Sequence, residues 1–73
     1  MDVELDARGL QCPLPLLKAK QALNRMASGE CLVVQATDPG SVRDFEVFAE
    51  HSGHELLEFS QLPGVYRYRL RKR

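Results

Sequence analysis

The chain has no run approaching the roughly 20 apolar residues that a bilayer-spanning helix needs, so no membrane span is expected. It has no surplus of either charge, since Lys and Arg number 10 and Asp and Glu also number 10. That balance excludes the basic excess on which dedicated nucleic-acid binders rely, and no strong direct nucleic-acid binding is expected. The opening Met1-Asp2-Val3-Glu4 is unlike a secretion signal, which predicts a cytoplasmic protein. There are two cysteines only. In a reducing compartment they are not expected to form a structural disulfide. At 73 residues the chain has no room for a cofactor-binding domain beside its own core. It reads as one domain over 1–73, burying about 60% of its unfolded surface. Linkers, internal repeats and low-complexity segments are missing too.

What remains is one alternating pattern of strands and helices. Val3, Leu5 and Ala7 alternate with Asp2, Glu4 and Asp6, which predicts a short strand with one wet face. Leu16, Ala19, Leu23 and Met26 form an apolar stripe at helical spacing, opposed by Lys18, Gln21, Arg25 and Ser28. Gly29 stands where a left-handed cap would end that helix. Residues 31–37 are a β-branched apolar run, expected as a buried second strand. Asp38-Pro39-Gly40-Ser41 stops it and opens a second helix, with Val42, Phe45, Phe48 and Ala49 facing the core and Gly53 closing it. Ser41 with Asp44 is a capping-box variant, and Asp38 a competing cap. Residues 54–61 and 65–71 predict an antiparallel hairpin joined by Leu62-Pro63-Gly64. The order is βαβαββ.

The chemistry points to Cys12, in Cys12-Pro13-Leu14-Pro15 between the first strand and the first helix. Pro13 suits the first helical position, where its missing N–H has no intrahelical partner anyway. Pro15 still falls within the first four residues. Because each proline disfavours helical angles in the residue before it, the start could equally slip to Pro15. Either way the thiol lies within a turn of a helix N-terminus, whose partial positive charge favours the thiolate. Arg8 adds positive potential nearby. The expectation is therefore a thiol that titrates below the ordinary value of about 8.5 and reacts faster than Cys31.

Strand-helix-strand crossovers return parallel, so the loops after the first two strands open at one sheet edge. Cys12 and Asp38 should be neighbours there, where open α/β sheets usually place their sites. Cys31 should lie at the other edge, a helix of about 15 residues or roughly 20 Å away. It reads as structural. His51 and His54 fall near Cys31, but histidines flanking a helix end more often pair with its last carbonyls, and no metal site is expected. Arg67, Arg69 and Arg71 alternate with Tyr66, Tyr68 and Leu70, either as the charged open face of a strand or as a docking surface for an acidic partner. Asp6 and Asp38 read as turn and cap acceptors rather than general bases.

The string Leu5-Asp6-Ala7-Arg8-Gly9-Leu10-Gln11-Cys12-Pro13-Leu14-Pro15 resembles the signature of the TusA/SirA sulfur-carrier family. The similarity continues through Thr37-Asp38-Pro39, Arg43-Asp44 and Tyr66-Arg67-Tyr68. It implies an α/β two-layer sandwich, with two helices on one face of a four-stranded mixed sheet. It implies that Cys12 is catalytic, accepting sulfur as a persulfide from a cysteine desulfurase or rhodanese-type donor and passing it to an acceptor protein, without a cofactor or metal. Related branches serve tRNA 2-thiouridine synthesis, molybdenum-cofactor sulfuration, selenium metabolism or sulfur oxidation. Leu14 stands where the tRNA-thiolation branch resembles Cys-Pro-Glu-Pro, so an acidic contact beside the sulfur is missing. The surface meeting partners is expected around Arg8, Pro13, Leu14, Pro15, Asp38 and Arg43, on a monomer. A thioredoxin-like exchanger is disfavoured because no resolving cysteine follows at Cys-x-x-Cys spacing. The alternative is a small RNA-binding or regulatory adaptor domain of similar fold, favoured mainly by the basic last strand.

Overall fold

A computed structural model describes residues 2–73. Its elements are β1 (Asp2–Ala7), α1 (Leu14–Asn24), β2 (Cys31–Ala36), α2 (Gly40–Ser52), β3 (Glu55–Leu62) and β4 (Val65–Arg71). The expected βαβαββ order is thus the observed one. The sheet runs β1-β2-β4-β3, with β1 parallel to β2 and the other neighbours antiparallel. In the parallel pair Asp2 lies opposite Cys31 and Ala7 opposite Ala36. The connections after Ala7 and Ala36 therefore leave the sheet side by side.

The two helices cover one face, over a core of Ala7, Ala19, Leu23, Leu32, Val34, Ala36, Phe45, Tyr68 and Leu70. At its centre the rings of Phe45 and Tyr68 stack with centroids 4.3 Å apart. The Tyr68 hydroxyl reaches the one buried polar side chain among the described residues, Ser41, at 2.7 Å. Ser41 does not form a capping box with Asp44, for α2 has no side-chain cap of that kind. Its hydroxyl is turned inward because a buried tyrosine oxygen needs a partner more than a solvated helix end does.

Helix α1 stops earlier than its apolar stripe suggests, at Asn24 instead of just before Gly29. Arg25 and Met26 bond back to the carbonyls of Ala22 and Leu23, each at 3.1 Å, which tightens the last turn. Lys72 Nζ donates to the Leu23 carbonyl at 2.7 Å. The freed segment then pairs with the chain's end, Gly29 N–H to Lys72 C=O at 2.9 Å and Lys72 N–H to Glu30 C=O at 2.8 Å. Helix α2 ends as expected at Gly53, in the left-handed region at φ 84°. There the Arg73 guanidinium donates to the Ser52 carbonyl at 3.2 Å. Two residues of the basic tail thus bond carbonyls at the two helix C-termini, the negative ends of their dipoles.

The other face is open and charged. Arg69 pairs with Asp2 at 3.4 Å and Glu58 at 3.6 Å, and Arg71 pairs with Glu55. These ladders follow from register, which sets Arg71 opposite Glu55 and Arg69 opposite Glu58. Two of the three arginines of β4, Arg69 and Arg71, are thus paired within the sheet, which weakens the case for a docking surface towards an acidic partner. His54 accepts the Arg73 backbone N–H on Nδ1 at 3.0 Å.

Candidate functional site

The β1–α1 connection is held in place before it reaches Cys12. Arg8 folds back on Asp6, its guanidinium donating at 2.8 and 3.0 Å. That side-chain bonding is the first reason the Asp6 carboxyl titrates at about 2. Gly9, at φ 81°, then turns the chain and donates its N–H to Thr37 Oγ1 at 2.9 Å, tying this loop to the one after β2. The Cys12–Pro13 peptide is cis. Pro13 occupies the N-cap and α1 begins at Leu14, between the two starts that the prolines allow.

Cys12 and Asp38 meet as the topology requires. The Cys12 backbone N–H donates to Asp38 Oδ2 at 2.5 Å. Asp38 Oδ1 also accepts the Gly40 N–H at 3.3 Å, so Asp38 braces the start of α2 as well as the cysteine. Gly40 is the other half of this close approach. A Cβ built there would stand 3.3 Å from Cys12 Cβ and 3.6 Å from Sγ. Cys12 is exposed and lies at the N-terminal ends of both helices.

The sulfur itself faces an acid. Cys12 Sγ–H donates to Asp44 Oδ2 at 2.6 Å. That bond, with some desolvation and the negative charges of Asp44 and Asp38, pushes the thiol above its ordinary value. This reverses the expectation of a depressed pKa. Arg8, the expected source of positive potential, is spent on Asp6, and a full carboxylate charge at contact distance outweighs the half-charge of a helix end.

Among the residues expected at this surface, Arg8, Pro13, Leu14 and Arg43 are exposed and Asp38 half-buried, while Pro15 is fully buried in the first turn of α1. Pro15 can only stiffen the backbone that presents the others. Leu14, Leu17 and Val47 add exposed apolar area. Beside them Leu16, Lys20, Arg43, Asp44, Val47, Phe48 and His51 line an open groove between the helices. Two residues escaped sequence reasoning, Gly40 and Asp44. They lie four apart on α2, one turn on the same face, and a glycine followed one turn later by an acid at a helix start is a usable sign of close approach. Cys31 is half-buried at the far end of β2, its sulfur beside Arg69.

A family model described as "Sulfurtransferase TusA" matches residues 3–72. The chain is 54% identical over 71 residues to the sulfur carrier protein TusA of Allochromatium vinosum, covering 97% of this chain and 93% of that one. It is 38% identical over 71 residues to a putative sulfur carrier protein of Bacillus subtilis, YrkI, covering 97% and 95%. The crystal structure of a SirA-like protein from Desulfitobacterium hafniense superposes with a TM-score of 0.83 at 27% identity, covering 97% of this chain and 96% of that one.

Proposed function

The chain belongs to the sulfurtransferase TusA family of sulfur carriers, and from that premise we propose that Cys12 is the residue on which it carries sulfur. The observation that supports this most is the presentation of the thiol. Cys12 stands exposed at the joined N-terminal ends of two helices, with Gly40 cleared beside it and two loops bonded together beneath it. The donor is a protein persulfide, of the kind held by a cysteine desulfurase or rhodanese-type enzyme. Cys12 sulfur bonds to the donor's terminal sulfur while the donor's S–S bond breaks, and the donor cysteine leaves as its thiol. The same exchange in the other direction passes sulfur to an acceptor protein. Neither step needs a cofactor.

A domain this small cannot enclose its chemistry, so both partners dock on the exposed edge around Arg8, Pro13, Leu14, Asp38 and Arg43. Leu14, 44% exposed, touches the partner and sets acceptor preference through an apolar contact. The pairing of Arg69 and Arg71 within the sheet weakens the alternative of an RNA-binding or adaptor domain.

Intact mass after incubation with cysteine and a desulfurase tests the assignment. The native chain should gain one sulfur on Cys12 and Cys12→Ala none, with its fold kept. A sulfur adduct on Cys31 in Cys12→Ala would mean that the wrong thiol has been chosen. An acceptor arm compares loaded native protein with Leu14→Glu, which should favour a tRNA-thiolation relay acceptor, and equal transfer rates would remove Leu14 as a determinant.

A further inference from the structure

We propose that Asp44 is the proton partner of Cys12: its carboxylate holds the thiol protonated and oriented in the free protein, and receives that proton when sulfur is transferred. The inference rests on the reading of Cys12 as the sulfur-bearing residue, but adds a second reacting group. Its basis is geometric. Asp44 is half-buried on the first turns of α2, with Oδ2 2.6 Å from Sγ. Gly40, one turn earlier, is what lets the cysteine lie close enough for that bond.

The charges acting on the thiol are all of one sign. Asp44 comes from α2 and Asp38 from the turn before it. On the cysteine's own loop, Arg8 is engaged by Asp6. Arg43, Lys20 and His51 line the interhelical groove with Asp44 but are not among the groups that act on the sulfur. In the free protein the proton therefore stays on sulfur, and the thiol is shielded from small electrophiles and oxidants, which attack the thiolate.

Transfer changes the balance. As the donor's terminal sulfur approaches, the Sγ proton moves to Asp44, the Cys12 thiolate forms the new S–S bond, and the donor's S–S bond breaks. The proton then passes from Asp44 to the departing donor thiolate, so that Cys12–SH and donor–S–SH become Cys12–S–SH and donor–SH. No oxidant or reductant is consumed. A donor surface carrying a cation against Asp38 and beside Sγ would lower the barrier by offsetting the Asp38 charge and stabilising the thiolate, while leaving Asp44 basic enough to take the proton.

The test is the pH profile of Cys12 alkylation by iodoacetamide in a Cys31→Ala background, with no sulfur donor present. Asp44→Asn keeps the size and an acceptor oxygen but loses the charge. It should move the profile to lower pH and raise the rate at pH 7.5 roughly fivefold or more, because a charge at contact distance is removed. Asp44→Glu, which restores the charge, should bring the profile back towards the native one. Circular dichroism identifies any variant that has not folded, and the Asp44→Glu profile then carries the test alone through its agreement with the native profile. An unchanged or upward-shifted profile in folded Asp44→Asn overturns the proposal, even if Cys12 still takes up sulfur from the desulfurase. Failure of sulfur loading in the native chain would overturn the function while leaving this shift measurable.

Discussion

The two cysteines stand at opposite ends of the parallel β1/β2 pair and differ in every respect that governs a thiol. Cys12 follows the end of β1, exposed, with carboxylates on its N–H and its sulfur. Cys31 opens β2, half-buried, opposite Asp2 and beside the Arg69 guanidinium. A reader ranking thiols by positive surroundings would choose Cys31. Accessibility and backbone presentation single out Cys12 instead, and its acidic surroundings make it a guarded thiol whose release depends on what approaches it.

The largest effect that would break this contrast is on sulfur loading, where Cys12→Ala and Cys31→Ala should fall at opposite extremes. Gly40→Ala sharpens it. Gly40 opens α2, where alanine's helix-interior advantage of about 1 kcal/mol is only partly felt, so stability should change little. Yet the added Cβ crowds Cys12 at 3.3 Å, and loading should drop several-fold. A loading rate equal to the native one would mean that the fit between Gly40 and Cys12 has no part in presentation.

The two ends should also differ in how stability is distributed. Beneath Cys12, Ser41→Ala leaves the buried Tyr68 hydroxyl without its partner, and denaturant unfolding should register a loss of about 1–3 kcal/mol. On the open face at the Cys31 end, Glu55→Gln removes an exposed pair with Arg71, and the loss should stay under about 1 kcal/mol. Comparable losses would show that the sheet's charged face contributes as much as its core.

The smallest effect is in acid. Burial, with Lys72 and Arg73 nearby, keeps His54 below the ordinary histidine value, and its Nδ1 accepts a bond that the neutral ring alone can take. The unfolded chain therefore binds this proton first as pH falls through about 6.5. Its contribution to stability is whole above that pH and declines below it, levelling off once the folded protein is protonated too. Thermal melts between pH 7 and 5 should show this decline, and His54→Gln should flatten it; an unaltered slope would assign it to other groups.

Much of the architecture was legible in the chain because it follows from local periodicity. The alternation in residues 2–7, the stripe from Leu16 to Leu23 and the turn glycines Gly53 and Gly64 specify strand, helix and hairpin through short-range geometry, and the handed crossover brings Cys12 beside Asp38. The proposal of Cys12 as the sulfur-bearing residue came from the same source, as a thiol between a strand end and two prolines. Local pattern could not say which of several partners each polar side chain takes. Arg8 was free in sequence to face Cys12 and chose Asp6, two residues away. Ser41 left its cap for Tyr68. Asp44, spaced as a capping acid, reached across to the sulfur 32 residues earlier. The end of α1 was decided by Lys72, taking the Leu23 carbonyl from the far end of the chain. Each is a competition for one polar partner, settled by which groups folding buries together, and a proton's place on Cys12 depends on that outcome because charge acts through space rather than along the chain.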